Sequence, residues 1–109
     1  MAMQSISRII TAAAERDPHR ACITHEGRTV TRREFDRATN RLARAYAALG
    51  VKEGDRVTIG LPNGIGFYEA CVALWKLGAT PQPVSARLPR MEFEAIVEVA
   101  QPSLIVGAP

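Results

Sequence analysis

The chain has 109 residues, of which 47% are apolar, and this size allows a single globular domain with one core. Fourteen Lys and Arg against eleven Asp and Glu give a net charge of +3, which argues against a polybasic nucleic-acid-binding segment. The sequence contains no run of eighteen apolar residues and no signal-peptide pattern, so a cytoplasmic protein is expected.

Neither the cysteines nor the histidines form a pattern that indicates metal binding or redox chemistry. Cys22 and Cys71 lie far apart and outside any Cys-x-x-Cys motif, so both are predicted to be reduced, buried, small apolar side chains. His19 follows a proline and His25 adjoins a predicted turn, which are positions typical of surface residues. No catalytic, cofactor-binding or metal-binding residue is therefore assigned from the sequence.

The first predicted element is an amphipathic helix. Apolar residues recur at helical spacing from Ile6 to Ala14, and Asp17-Pro18 stops the pattern. The helix carries few cations and no aromatic anchor, so its apolar stripe is expected to pack on the body of the protein. No stable membrane binding is predicted.

A β-hairpin is predicted to follow, with strands over 21–25 and 28–31 around Glu26-Gly27. Its second strand leads into a capping-box sequence at Thr31, which predicts the start of a second helix.

The capping box pairs Thr31 with Glu34, and the flanking residues Val30 and Phe35 fit a hydrophobic staple. The side of this helix predicted to face the core consists of Phe35, Ala38, Leu42, Ala45, Tyr46 and Leu49. The opposite side carries Arg33, Arg37, Arg41 and Arg44. These arginines fit either a phosphate-binding stripe or a solvated helix face. Acidic residues share the helix and no aromatic interleaves with the arginines on their side of it, so solvation is favoured and no nucleic-acid partner is expected.

The junction over 49–63 links this helix to a short strand and then to a third helix. Gly50 suits the left-handed position that ends a helix, and the β-branched run within 56–61 predicts a strand. Asn63 is predicted to cap the next helix, over 64–77. That helix is almost entirely apolar, so it is predicted to be buried on most sides, with Tyr68 and Trp75 in the core in preference to a ligand pocket.

The remaining pattern predicts an extended segment over 80–84, a helix over 89–100 and a buried strand over 103–107. The apolar stripe predicted for this last helix consists of Met91, Ala95, Ile96 and Val99. Together with the preceding strand and helix, these elements form two successive βαβ units. The predicted fold class is α/β with a parallel sheet, preceded by a helix and a β-hairpin, in one unit over 1–109.

Seven short motifs occur in an order and spacing that resembles one enzyme family. They are Thr31-x-x-Glu34-Phe35, Asn40-Arg-Leu-Ala43, Gly50-Val-Lys-Glu-Gly-Asp-Arg-Val57, Leu61-Pro-Asn63, Trp75-Lys-Leu-Gly-Ala79, Pro83 and Arg87-Leu-Pro89. The chain resembles, nearly end to end, the N-terminal portion of the adenylate-forming, acyl-activating enzymes, most closely acyl-CoA synthetases. Arg32 departs from the aromatic residue usual in the family, and Pro81 interrupts a usually apolar strand. The segment 80–84 is therefore predicted to be an edge strand or irregular.

The resemblance implies a βαβαβ portion of the large lobe of such an enzyme and a two-step reaction. A carboxylic acid, fatty or bulky and apolar, attacks the α-phosphate of ATP in the presence of Mg²⁺, and the thiol of coenzyme A then displaces AMP. The family's phosphate-loop, metal-binding and late-lysine motifs do not occur in this sequence. The chain alone is therefore expected to be inactive and to bind none of ATP, Mg²⁺ or coenzyme A.

Two other interpretations remain open from the sequence. The chain could be part of an adenylation domain that loads a carrier protein, or a non-catalytic, flavodoxin-like interaction module. Its expected partner is the remainder of a synthetase chain, or a second copy bound through exposed apolar surface.

Overall fold

The computed structural model describes residues 5–107, which form four helices and five strands in the predicted order. The helices are α1 (Ile6–Arg16), α2 (Arg32–Ala48), α3 (Ile65–Lys76) and α4 (Arg90–Ala100). The strands are β1 (Ala21–His25), β2 (Arg28–Thr31), β3 (Arg56–Ile59), β4 (Thr80–Pro83) and β5 (Leu104–Val106). No helix within residues 5–107 combines the length and apolarity needed to cross a bilayer.

The central sheet has three parallel strands in the order β4-β3-β5. The amides of Thr80 and Val84 donate to carbonyl oxygens at either end of β3, at 2.7 and 2.8 Å. Pro81 and Pro83 alternate with these donors, so their nitrogens face the outer edge of the sheet. A missing N–H there removes no hydrogen bond between strands. Of the two predicted alternatives, an edge strand or an irregular segment, the structure has the edge strand.

The helices lie on both faces of this sheet. Val57 and Ile59 are fully buried in a cluster that includes Leu74 of α3 and Tyr46 of α2. Successive residues of a strand point to opposite faces, and Arg56 lines a groove together with residues of α4. Thus α3 covers one face, α2 packs on α3, and α1 packs on both helices, whereas α4 lies on the other face.

The antiparallel hairpin and the start of α2 match the sequence prediction closely. The Thr31 amide donates to Glu34 Oε1 at 2.8 Å, and the Glu34 amide donates to Thr31 Oγ1 at 3.1 Å. The hydrogen bond from the Thr31 amide is the main cause that holds the pKa of the Glu34 carboxyl below its ordinary value. Val30 and Phe35 are both buried in one cluster, as the staple requires.

A polar network inside the helical layer joins α1, α2 and α3. The Lys76 ammonium donates to Asp36 Oδ1 at 2.7 Å, to Thr39 Oγ1 at 2.8 Å and to Asn40 Oδ1 at 2.7 Å. From α1, the Thr11 hydroxyl donates to the same Asp36 oxygen at 3.0 Å. The charged pair is largely buried, with the Lys76 and Asp36 side chains 10% and 16% exposed. The network therefore fixes which side of α2 meets α3.

This packing corrects the predicted core side of α2. Ala45 is exposed and Leu49 is 66% exposed, whereas Thr39 and Ala43 are buried. Phe35 and Tyr46 are buried as predicted. The bonds from Lys76 hold the Thr39 side of α2 against α3, so the buried side is rotated from the predicted one toward Thr39 and Ala43. Gly50 has a φ of 99°, which confirms the left-handed end of this helix.

Three further predictions around α1 to α3 are wrong. Asn63 does not cap α3, because the N-cap residue is Gly64, which has no side chain that could accept a hydrogen bond. Tyr68 and Trp75 are 50% and 38% exposed, since the smaller side chains of α3 face the core. Cys71 is buried as predicted, but Cys22 is exposed, because only one face of the two-stranded hairpin packs on the rest of the chain.

The predicted burial of the last strand is wrong, and the apolar stripe predicted for α4 is largely exposed. Met91 and Val99 are 82% and 87% exposed, whereas Phe93 is the buried residue of α4. The strand β5 is only half-buried, with Ile105 39% exposed. Within residues 5–107, α4 and β5 form the outer side of the molecule, so the stripe that contains Met91 and Val99 has no cover.

Candidate functional site

The main candidate site is a crevice at the carboxyl ends of β3 and β4. The connection after β3 leads to α3 on one face of the sheet, and the connection after β4 leads to α4 on the other. In open parallel sheets, ligands bind where neighbouring connections diverge in this way. The crevice is lined by Leu61, Pro62, Asn63, Phe67, Pro83, Val84, Ser85, Ala86 and Arg87.

The lining combines an apolar wall with a few polar groups. Leu61 and Phe67 supply apolar surface, and Asn63, Ser85 and Arg87 supply an amide, a hydroxyl and a guanidinium. The Ser85 hydroxyl accepts a hydrogen bond from the Arg87 amide at 3.2 Å, which shapes the loop after β4. Such a set can orient a carboxylate, a phosphate or an amide group.

The crevice provides binding groups but no catalytic machinery of its own. Its described lining contains no carboxylate and no pairing of a nucleophile with a base. Mg²⁺ prefers carboxylate and phosphate oxygens, so this lining does not fit a magnesium–ATP site. Within residues 5–107, no group of three His, Cys, Asp or Glu is placed to hold a metal ion.

Close backbone contact fixes the strand ends beside the crevice. The Gly60 amide donates to the Val106 carbonyl at 2.8 Å. A Cβ at Gly60 would lie 2.9 Å from the Gly107 carbonyl oxygen, and one at Gly107 would lie 2.8 Å from Leu61 Cδ2. Gly107 also has a φ of +71°, in the left-handed region that favours glycine. The two glycines let β3 and β5 end side by side.

The groups whose pKa is shifted lie outside the crevice. Burial raises the pKa of the Tyr46 hydroxyl and of the Cys71 thiol, and it also raises the pKa of Cys22 against the opposing effect of Arg32. His19 and His25 are exposed, as predicted. None of these groups lines the crevice described above.

No residue of the crevice is predicted as a site residue from the sequence. A signal was present, because the motif Leu61-Pro-Asn63 begins at the end of one predicted strand and Arg87-Leu-Pro89 begins three residues after the next extended segment. Their meeting depends on the parallel pairing of β3 with β4, which places both carboxyl ends at the same edge.

A second groove lies between the sheet and α4. It is lined by Arg56, Gln82, Ala95, Ile96, Val99 and Ala100. Thr58 on the same sheet face is buried and donates its hydroxyl hydrogen to Gln82 Oε1 at 2.9 Å. The groove is mainly apolar on its α4 side and continues the uncovered stripe of that helix.

Comparisons with known proteins extend over almost the whole chain. A family model described as "AMP-binding enzyme" matches residues 10–108. Pyochelin synthase PchD of Pseudomonas aeruginosa is 29% identical over 105 residues, which are 96% of this chain and 19% of that protein. Feruloyl-CoA synthase of an Amycolatopsis species is 31% identical over 96 residues, which are 88% of this chain and 20% of that protein. The chain thus spans about a fifth of the length of these two relatives.

Solved structures share the fold. The N-terminal subdomain of Klebsiella oxytoca NpsA, in complex with anthranilyl-AMSN, superposes with a TM-score of 0.90 at 23% identity, over 97% of this chain and 28% of that one. The inhibitor-bound N-terminal domain of FACL13 from Mycobacterium tuberculosis gives a TM-score of 0.88 at 26% identity, over 94% of this chain and 26% of that one. The predicted α/β class, with a helix and hairpin before the parallel sheet, is confirmed.

Proposed function

Because this chain belongs to the AMP-binding enzyme family, we propose that it forms part of the N-terminal subdomain of an enzyme that activates a carboxylic acid with ATP. The product of the first step is an acyl-adenylate, with release of pyrophosphate. The observation that supports this most strongly is the family match over residues 10–108, together with the likeness in fold to adenylation subdomains. The unit over 1–109 is proposed as a portion of that larger domain.

The acyl group is proposed to pass from the adenylate to a thiol. The family resemblance implies coenzyme A as the acceptor, but the relatives do not favour coenzyme A over a carrier protein. One relative is named feruloyl-CoA synthase, whereas another, from Streptomyces coeruleorubidus and 30% identical over 96 residues, is named fatty acid–[acyl-carrier-protein] ligase. A solved relative is an artificially fused adenylation–PCP di-domain from Klebsiella oxytoca. Carrier-protein loading is therefore the second candidate function.

The proposed contribution of this chain is structural and positional. The crevice after β3 and β4 is proposed to form one wall of the substrate-binding cleft of the complete enzyme. Arg87 is the charged residue of this wall. ATP, Mg²⁺ and the thiol acceptor bind mainly to the remainder of the enzyme, because this chain lacks a carboxylate in the crevice. The same remainder is proposed to cover the apolar groove beside α4, where Val99 is 87% exposed. A cytoplasmic location stays a prediction.

The test is acid-dependent exchange of labelled pyrophosphate into ATP by the complete protein that contains this chain. Exchange that requires one class of carboxylic acid supports the proposal, and no exchange with any acid of a broad panel contradicts it. Adding coenzyme A or a phosphopantetheine-bearing carrier protein then identifies the acceptor from the thioester formed. A matched pair of variants, Arg87→Gln in the crevice and Arg20→Gln on the exposed surface, tests the crevice. We expect kcat/KM for the acid to fall only in the Arg87 variant.

A further inference from the structure

The exposed side of α2 carries a continuous stripe of positive charge. Arg33, Arg37, Arg41 and Arg44, here called the arginine stripe, are all exposed. A helix turns 100° and rises 1.5 Å per residue, so the four side chains start within an arc of about 80° along about 17 Å of helix. Arg37, Arg41 and Arg44 also line a shallow depression together with Asn40.

Intramolecular pairing does not explain the stripe. Within residues 5–107, the ion pairs join Lys76 to Asp36 and Arg90 to Glu94, and neither includes a stripe arginine. The Glu34 carboxylate on the same helix accepts a hydrogen bond from the Thr31 amide in the capping box. Like charges three and four residues apart on a helix repel one another. The stripe therefore destabilises α2 slightly, and an anionic partner would relieve that repulsion.

From this surface we propose that the arginine stripe docks an acidic helix of a protein partner, with carboxylates spaced three or four residues apart. Guanidinium groups bind carboxylates through two parallel hydrogen bonds, and the stripe repeats at the spacing of such a partner helix. The inference goes beyond the proposed function and does not depend on it.

The surroundings of the stripe favour a protein over a nucleic acid or a membrane. Glu15 is exposed and lines a depression together with Arg33 and Arg37, so a continuous phosphate backbone would meet a carboxylate at this end. Phe35 is buried and Leu42 packs against the core, so the arginine side of α2 exposes no aromatic or large aliphatic side chain that could stack on bases or insert into lipid. Separate carboxylates on a helix can avoid the acidic end and still pair with the arginines.

The test measures binding of the full chain to a fluorescein-labelled, alanine-based helical peptide with glutamates every four residues. Fluorescence anisotropy at about 50 mM salt gives the dissociation constant, and higher salt should weaken it. The stripe variant replaces Arg37, Arg41 and Arg44 by Gln, which keeps helix propensity. The control variant replaces Arg16, Arg20 and Arg28 by Gln, which removes the same charge from other exposed positions.

We expect the stripe variant to bind the peptide at least roughly tenfold more weakly, and the control variant to stay within about twofold of the parent chain. The stripe variant should unfold at no lower temperature than the parent, because repulsion on α2 is removed, so a loss of binding cannot reflect misfolding. Absence of peptide binding, or an equal loss in both variants, would overturn the proposal. So would tighter, stripe-dependent binding of random duplex DNA or of phosphatidylserine-containing vesicles.

Discussion

Replacement of Lys76 by Met tests whether the buried network holds the helical layer together. Met keeps most of the apolar stem of the side chain but removes the ammonium that donates to Asp36, Thr39 and Asn40 at 2.7 to 2.8 Å. The variant leaves the Asp36 carboxylate largely buried, with its side chain 16% exposed and without its cation.

Breaking one side of a buried ion pair costs about 3 to 5 kcal/mol in the free energy of unfolding. The Asp36 carboxylate keeps the Thr11 hydroxyl as a donor at 3.0 Å and retains some exposure to water. We therefore expect a loss at the lower end, about 3 kcal/mol.

Urea unfolding followed by far-UV circular dichroism, with the slope of the transition held constant, measures this loss. Lys52→Met is the matched control, because Lys52 is exposed and its ammonium makes no hydrogen bond within residues 5–107. The control should change the free energy of unfolding by less than about 0.5 kcal/mol. The double variant with Asp36→Asn should lose less than the sum of the single losses. A Lys76→Met loss no larger than that of the control would refute the reasoning.

Three further predictions concern a strand end, a helix cap and the thiols. Gly60→Ala places a methyl group 2.9 Å from a backbone oxygen and should cost about 1 to 3 kcal/mol in urea unfolding, whereas Gly66→Ala, which meets no atom within 4 Å, should not destabilise. The pKa of Glu34 lies below its ordinary 4.5. The parent should therefore exceed Glu34→Gln in free energy of unfolding by the full difference above pH 4.5, and this difference should shrink as the pH falls further. A difference that grows in acid would contradict this prediction. In the folded chain a thiol reagent should modify Cys22, and Cys71 should react only after unfolding. Modification of both thiols in the folded chain would contradict the burial of Cys71.

The elements of this fold could be predicted because their signals are local. The capping box at Thr31 and the turn at Glu26-Gly27 act within a few residues, and the structure has both where the sequence places them. The edge position of β4 was one of two alternatives indicated by Pro81, because a proline within a strand is tolerated mainly at a sheet edge.

The packing faces could not be predicted in the same way, because they depend on distant partners. Lys76 draws the Thr39 side of α2 toward α3, although Leu49 would be favoured for the core by hydrophobicity alone. Trp75 and Val99 are apolar but exposed within residues 5–107, since no other element of this chain covers them. Helical periodicity identifies an apolar side but not what covers it.

The crevice required the order of the strands. Asn63 and Arg87 lie 24 positions apart along the sequence, and only the pairing of β3 beside β4 brings their loops to one edge. The spacing of these residues matches no nucleotide-binding motif, so the sequence offered no chemical reason to join them.

The most direct test of the proposed function is mass spectrometry of the products that the complete protein makes from ATP, Mg²⁺ and a mixture of carboxylic acids. The proposal predicts an acyl-adenylate of one acid class, formed together with pyrophosphate and absent when the acids are omitted. Turnover of ATP to ADP and phosphate, or no nucleotide product at all with a folded protein and a broad acid mixture, would contradict it.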